Sequence, residues 1–583
     1  MKRLGRVLLS ILLIVPMLVG MAFLSPNSAL NAPQTAQNGG GGANSLDSPK
    51  IGKKDTNSNQ VGEEEYVVTY KTYDDYFTDL NITKETITEA ELSGNGSATN
   101  PYIVRSTRGF LWLTNYSLSG ISLGNQHIEL ACDIILNDET FDEKGVPSGG
   151  DGVVYQMLEY AEYMYNLTVD CNGFSIRGIY YNDVSTNSFC LFGLSFKKVE
   201  NLVVENFFIN ANSGDVSLLG KWGITVNNVI AKQGCLLGKN AFWVYGPKEI
   251  YDCENYATIT GTSTASPYGY NLVNGNIRNC KNFGDIYVDN QGASGWASGG
   301  IVCMTEVKSE IRNCENYGDI YATGRHIGGI VGIFYNNPKG VLLLEDCKNY
   351  GNIYDLYDCC AGGIVGTAEG TIYIDNCKNF ASIFTSDWKD AGQIIGVAYP
   401  YNYDTDIVIE NCYSFSTTNV AVIGRQVNRT SLKLTIDKCV FDFDVENSDL
   451  RDIIMDTEAY TRPTEIYLKN IEINIMQKSS SSFQLIRALR EDAYLHVENV
   501  FLKSNVKTTN INYVHAQNTL IDFCNFVVNA GAEKIYYGNN FSGYCMNYKT
   551  GELGLKALSA KGFYQGKVTE ELLLAKGYEK KAI

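Results

Sequence analysis

Between residues 250 and 440 the apolar and polar positions recur in one pattern. Seven cysteines share a context: Cys253, Cys280, Cys314, Cys347, Cys377, Cys412 and Cys439. An aliphatic side chain stands three residues before each: Ile250, Ile277, Ile311, Leu344, Ile374, Ile409 and Ile436. Asp or Asn directly precedes six of them, at Asp252, Asn279, Asn313, Asp346, Asn376 and Asn411. An aromatic follows six of them by three positions, at Tyr256, Phe283, Tyr317, Tyr350, Phe380 and Phe415. The runs between turn residues are short and β-branched, which predicts strands. Residues two apart on a strand share a face. The aliphatic and the Cys are three apart, so both face inward only if the chain bends between them. Asp and Asn tolerate such a bend.

A second element follows in several units: Gly299-Gly300-Ile301-Val302, Gly328-Gly329-Ile330-Val331-Gly332, Gly362-Gly363-Ile364-Val365-Gly366 and Gly392-Gln393-Ile394-Ile395-Gly396. Strand, bend, strand and Gly-rich turn, repeated about every 30 residues, describe one coil of a solenoid. Each coil has edges that only a neighbouring coil pairs, so like residues stack in columns. Strand-like echoes at 202–207, 466–471, 495–500 and 520–525 extend the pattern. The expected fold is all-β, a parallel β-helix solenoid over 94–545. That is on the order of 15 coils and roughly 70 Å of stack. Residues 107–116, with Phe110, Leu111 and Leu113 at helical spacing, predict a helical cap at the start. Thr569 as N-cap and Gly577 as stop predict a helix in a C-terminal cap or tail over 546–583.

The first 65 residues read differently. Lys2, Arg3 and Arg6 precede an apolar stretch from Val7 to Leu24, with small residues near Ala29 and Ala32. This is the layout of a signal peptide over 1–32, with an uncleaved membrane anchor as the alternative. Residues 33–65 read as a flexible Gly-, Ser- and Asn-rich linker, and 66–93 as an N-terminal extension. The expected location is outside the cell, secreted or at the surface. The chain of 583 residues carries 47 Lys plus Arg and 64 Asp plus Glu, a net charge of −17. Loss of residues 1–32 removes three basic residues and gives 44 − 64 = −20. An acidic chain with 39 Tyr, 56 Gly and only 19 % charged residues lacks the basic footprint of a nucleic-acid binder.

Gly94-Asn95-Gly96-Ser97-Ala98-Thr99-Asn100-Pro101-Tyr102-Ile103, Ala131-Cys132-Asp133-Ile134-Ile135-Leu136 and Asp170-Cys171-Asn172-Gly173-Phe174-Ser175-Ile176 carry a resemblance. With the Gly-Gly-Ile-Val-Gly blocks, they resemble bacterial extracellular right-handed parallel β-helix proteins with GLUG-type repeats. Ile135 departs from that pattern, where the family has Asp. The resemblance covers about 94–440 and implies a right-handed helix in a surface or adhesin-like protein. Some members carry an IgA-cleaving metallopeptidase domain. This chain has His127, His326, His496 and His515 and no H-E-x-x-H motif, so that zinc chemistry is not expected.

Candidate chemistry is sparse, and no catalytic set, metal site or cofactor is predicted. Asp285 and Asp319 form a short acid column, continued by Asn352 and Ser382, which reads as a calcium or substrate site or as a Gly-Asp turn. The four histidines read as surface or turn residues. The Cys column reads as packed thiols, with disulfides between successive members as the alternative. Cys359-Cys360 is a vicinal pair in a variable loop. The row Tyr256, Phe283, Tyr317, Tyr350 and Phe380 reads either as a stacked structural ladder or as a platform for sugar rings or a partner protein. The function expected is a non-catalytic binding or adhesion module for a glycan or a host or neighbouring-cell surface protein, acting as a monomer. The alternatives are a polysaccharide lyase or glycoside hydrolase on the same scaffold, and a passive spacer.

Overall fold

The computed structural model describes residues 67–568 apart from short connecting stretches, and side chains as far as Val500. The proposed signal peptide and linker lie outside the described residues. The chain from Tyr66 onward is one compact unit, a parallel β-solenoid with two short helices among its described residues. One register column runs through it: Tyr102, Ile128, Val169, Val199, Val226, Ile250, Ile277, Ile311, Leu344, Ile374, Ile409, Ile436, Leu468, Val497 and Phe523. Fourteen steps of about 4.8 Å between these levels give a stack of roughly 67 Å. The ladder is parallel throughout, because each coil returns above the one before.

The bend between aliphatic and Cys is real. Eleven regular coils carry it, at Asn201, Asn228, Asp252, Asn279, Asn313, Asp346, Asn376, Asn411, Lys438, Asn470 and Asn499, each with φ between 49° and 57°. This left-handed conformation turns one residue out of the strand, so the residues three apart both face the core. Ile277 and Cys280, or Leu344 and Cys347, are fully buried. The side-chain amides at the bend form an outer ladder, as where Asn313 Nδ2 donates to Asn279 Oδ1 at 2.9 Å. Lys438 is the member of this column without an Asx side chain, at φ 55°. Lys438→Asn should raise stability by about 0.5–1 kcal/mol, since Asn tolerates this conformation better than other L-residues. A thermal melt that does not rise would contradict that account.

The start is capped as expected. Leu92–Ser93 pairs antiparallel with Tyr102–Val104, and a helix follows at Thr107–Thr114. Ser106 Oγ accepts from Gly109 N at 3.0 Å, and the helix buries Phe110, Leu111 and Leu113 over the first coil. The sequence pattern did not reveal a second helix, Tyr73–Asp79, closed by a capping box between Thr72 and Asp75. The far end differs from the expectation. Parallel pairing ends with Leu520–Ala530, and strands from Ile535 to Val568 pair antiparallel with the last rungs and with one another. The segment expected as a helical cap or tail thus contains strands Glu552–Ala557 and Gly566–Val568. The helix expected over 569–577 lies outside the described residues.

Candidate functional site

The Cys column lies in the core and each thiol has a job. Cys280 Sγ donates to Arg278 O at 3.1 Å, Cys314 Sγ to Arg312 O at 3.3 Å and Cys412 Sγ to Glu410 O at 3.0 Å. The carbonyl two residues back also accepts the N–H of the bend residue in the preceding coil, as Arg278 O does from Asp252 N at 3.1 Å, so the thiol is its second donor. A small apolar side chain with a weak donor therefore suits this position better than Ala or Val. Burial pushes the thiols of Cys280, Cys314, Cys377 and Cys412 well above the ordinary range. The thirteen cysteines whose side chains are described are free thiols. A maleimide should label the column only after denaturation; rapid labelling of the native chain would overturn the buried-thiol reading.

Tyr256, Phe283, Tyr317, Tyr350 and Phe380 come together in a single row outside the core. Successive ring centroids are 4.6–5.0 Å apart and the planes lie within 8° of parallel. The stacking axis follows the coil repeat, so each ring face is taken by its neighbours and only ring edges meet solvent. A sugar ring packs on an aromatic face, and this row offers no such face along its length. Tyr256 Oη donates to Glu254 at 2.8 Å and Tyr317 Oη to Glu315 at 2.7 Å. Lys348 pairs with Glu315 at 2.8 Å in the adjacent coil. The row is thus a rigid strip with a hydrogen-bonded, charge-paired margin.

A second ladder runs beside it. Tyr287, Tyr321, Tyr354 and Phe384 stack at 4.5–5.0 Å, with planes within 10° of parallel. It stands seven residues after each Cys, and that fixed offset was available in the sequence. The acid column lies at the corner between the two ladders and closes the turn. Asp285 Oδ1 accepts from Asp319 N at 2.9 Å, Asp319 Oδ1 from Asn352 N at 2.7 Å, and Asn352 Oδ1 from Ser382 N at 3.1 Å.

Similarity to known proteins adds little to this geometry. No protein-family model matches the chain, and no curated protein matches it. A solved structure described as a putative immunoglobulin A1 protease from Bacteroides ovatus is similar over 50 % of this chain and 77 % of its own. The identity is 18 % and the TM-score 0.32, too low to carry an argument.

One cluster was not foreseen. His326, Cys360 and Asp390 occupy neighbouring coils on one side of the Gly-Gly-Ile bend, and Thr367 and Arg425 lie on the other. His326 Nδ1 is 2.8 Å from Thr367 Oγ1, and Arg425 holds Asp390 with two contacts of 2.6 Å. His326 is therefore packed in a seam, where a surface or turn residue was expected. Burial pushes the Cys360 thiol up to about 12 and, with Arg325 adding to it, the His326 imidazole down to about 4. Both groups are neutral at pH 7. A nucleophilic Cys–His pair needs the opposite, a lowered thiol and a basic imidazole. The seam is structural.

Its pH dependence follows. The unfolded chain binds a proton at His326 near pH 6.5, and the folded chain only near 4. Protons then favour unfolding, so His326's contribution to stability is present above 6.5 and is lost as pH falls toward 4. His326→Gln should flatten the fall in melting temperature over that window. Equal slopes for the variant and the parent would show that the imidazole stays solvated.

Proposed function

We propose that the protein is a non-catalytic binding or adhesion module that works outside the cell and takes a glycan or a surface protein. The observation that carries this is the rigid stack of coils, which holds the ladder ring edges and the exposed side chains beside them in fixed array outside the core. Ring centroids repeat at 4.5–5.0 Å over four or five coils in each of two ladders. Such a surface loses little conformational entropy on binding, and ordered apolar side chains outside a core are typical of recognition surfaces. The resemblance to surface-located β-helix proteins points the same way.

The test is to incubate the purified chain with immobilised polysaccharides, matrix proteins and whole cells. Retention and new reducing ends are read in the same samples. Retention without cleavage supports the binding module. New reducing ends or unsaturated uronate absorbance would replace it with the lyase or hydrolase reading. No retention on any surface would leave the spacer.

A further inference from the structure

The strands over 195–251 lack the Cys repeat and carry a different outer face. Trp222 is 49 % exposed and Ile224, two residues on and on the same face, 47 %. Trp222 lies between Ser195 in the coil before and Gly246 in the coil after. A β-carbon at Gly246 would stand 2.5 Å from the six-membered ring of the indole. The six-membered ring of the indole therefore fills the space that a side chain at Gly246 would take. At 49 % exposure about half of the Trp222 surface is left to solvent. Tyr245 supports its edge, with ring centroids 5.1 Å apart and planes at 74°. Its ring neighbour meets it edge-on, where the ladder rings are stacked in parallel.

The charge around it is unusual for this chain. Lys197 sits at the bulge between Phe196 and Lys198, beside Ile224 in the preceding coil. Lys248 follows Ile224 in the next coil, between the pairs Gly223–Pro247 and Thr225–Glu249. Both lysines are exposed. Lys221 adjoins Trp222 and reaches over the Tyr245 ring, 5.9 Å from its centroid. Neighbouring Lys198 pairs with Glu200, and so does not add free charge. Two lysines thus flank Ile224 and a third adjoins Trp222, in a protein of net charge −17. Ser195 Oγ accepts from Asn166 N at 3.1 Å, which leaves its hydroxyl proton for a ligand oxygen.

We propose that Trp222 and Ile224, with Lys197, Lys221 and Lys248, form a binding site for an acidic sugar residue of a glycan. The apolar face of the pyranose packs on the indole, and its carboxylate is held by the lysines. The patch is the size of one or two sugar rings and far short of the roughly 800 Å² that each partner contributes to a stable protein interface. The acidic body around it repels polyanions elsewhere, so binding would be confined to this patch. This inference rests on the binding reading above and names its ligand class.

The test is affinity electrophoresis of the full chain in gels containing hyaluronan, polysialic acid or polygalacturonate. Neutral glucan, polyglutamate and single-stranded oligothymidine gels run alongside. At least one acidic polysaccharide should retard the chain, and added salt should weaken the effect. Trp222→Ala should lower that affinity by at least about tenfold, and Trp296→Ala should change it by less than about twofold. Gly246→Ala, which displaces the indole without removing it, should weaken binding too. Lys197→Gln with Lys248→Gln should lower affinity while the Trp222→Ala chain keeps its parent's melting temperature. Equal retention in polyglutamate or oligothymidine, or unaltered binding by Trp222→Ala, would overturn the site. Binding to cells or matrix proteins alone would remove the site and leave the module. No binding to anything would remove both.

Discussion

Asn316→Asp should unfold the middle of the solenoid at neutral pH. Asn255, Asn282, Asn316, Asn349 and Asn379 stand two residues after their cysteines and are fully buried. Each of the first four donates from Nδ2 to the Oδ1 of the next, as Asn282 does to Asn316 at 2.8 Å and Asn316 to Asn349 at 2.9 Å. The same Nδ2 of Asn316 donates to Gly318 O at 3.0 Å. Aspartate has the same shape but replaces the donor with an acceptor. Asn349 Oδ1 and Gly318 O would both lose their partner and face a carboxylate oxygen. Two unsatisfied buried acceptors cost about 1–3 kcal/mol each, before the burial of the charge itself. The expected loss is about 4 kcal/mol or more, a large part of the roughly 5–15 kcal/mol that holds a typical domain. Once protonated, the introduced carboxyl donates one hydrogen bond, so the deficit against the parent at the same pH should shrink in acid. A variant that melts within about 1 kcal/mol of the parent at pH 7 would show that the amide ladder contributes little.

This ladder also marks how far the sequence could be read. The column of Ile and Cys, the bend between them and the aromatic row were legible, because each is a fixed offset within one coil. The bend even follows from parity alone, since no straight strand faces residues three apart inward. Contacts between coils were harder. His326 meets Thr367 across 41 positions, and Arg425 meets Asp390 across 35. The lengths of the connecting loops vary, so such pairs have no constant spacing. Ring orientation was not legible either. A row of aromatics has the same sequence whether it shows faces or edges, and only the stacking axis decides. Trp222 was not legible because its coils lack the Cys repeat that sets the register elsewhere.

Gly329→Ala should be at least as damaging, and the reason joins two motifs that look independent in the sequence. The second glycine of each Gly-Gly-Ile block lies against the buried Asn of the following coil. A β-carbon at Gly329 would come within 2.1 Å of Gly363 O and 2.4 Å of Asn349 Cγ. Gly300 stands in the same relation to Asn316, and Gly363 to Asn379. The obstacles are a backbone carbonyl in the bend between the paired strands Cys360–Gly362 and Val365–Ala368 and an amide held by its neighbours, so neither gives way cheaply. The chain contains its own exception. Gln393 occupies the glycine position of the fourth block, and the Asn that should oppose it is Ser414, whose hydroxyl donates to Gln393 Oε1. There the pairing of strands also shifts register between Gly392 and Ile395. A side chain at this place therefore requires both a smaller partner and a displaced backbone. Gly329→Ala supplies neither and should cost more than about 4 kcal/mol. Asn349→Ser added to it should recover only a small part, because the Gly363 carbonyl stays in place. Coils of a solenoid are coupled mainly to their neighbours, so the damage should be local. Hydrogen exchange should show lost protection over 300–396 while strand Thr464–Gln477 keeps most of its own. Full protection across 300–396 in the Ala variant would mean that the carbonyl moves aside, and that Gly329 is dispensable.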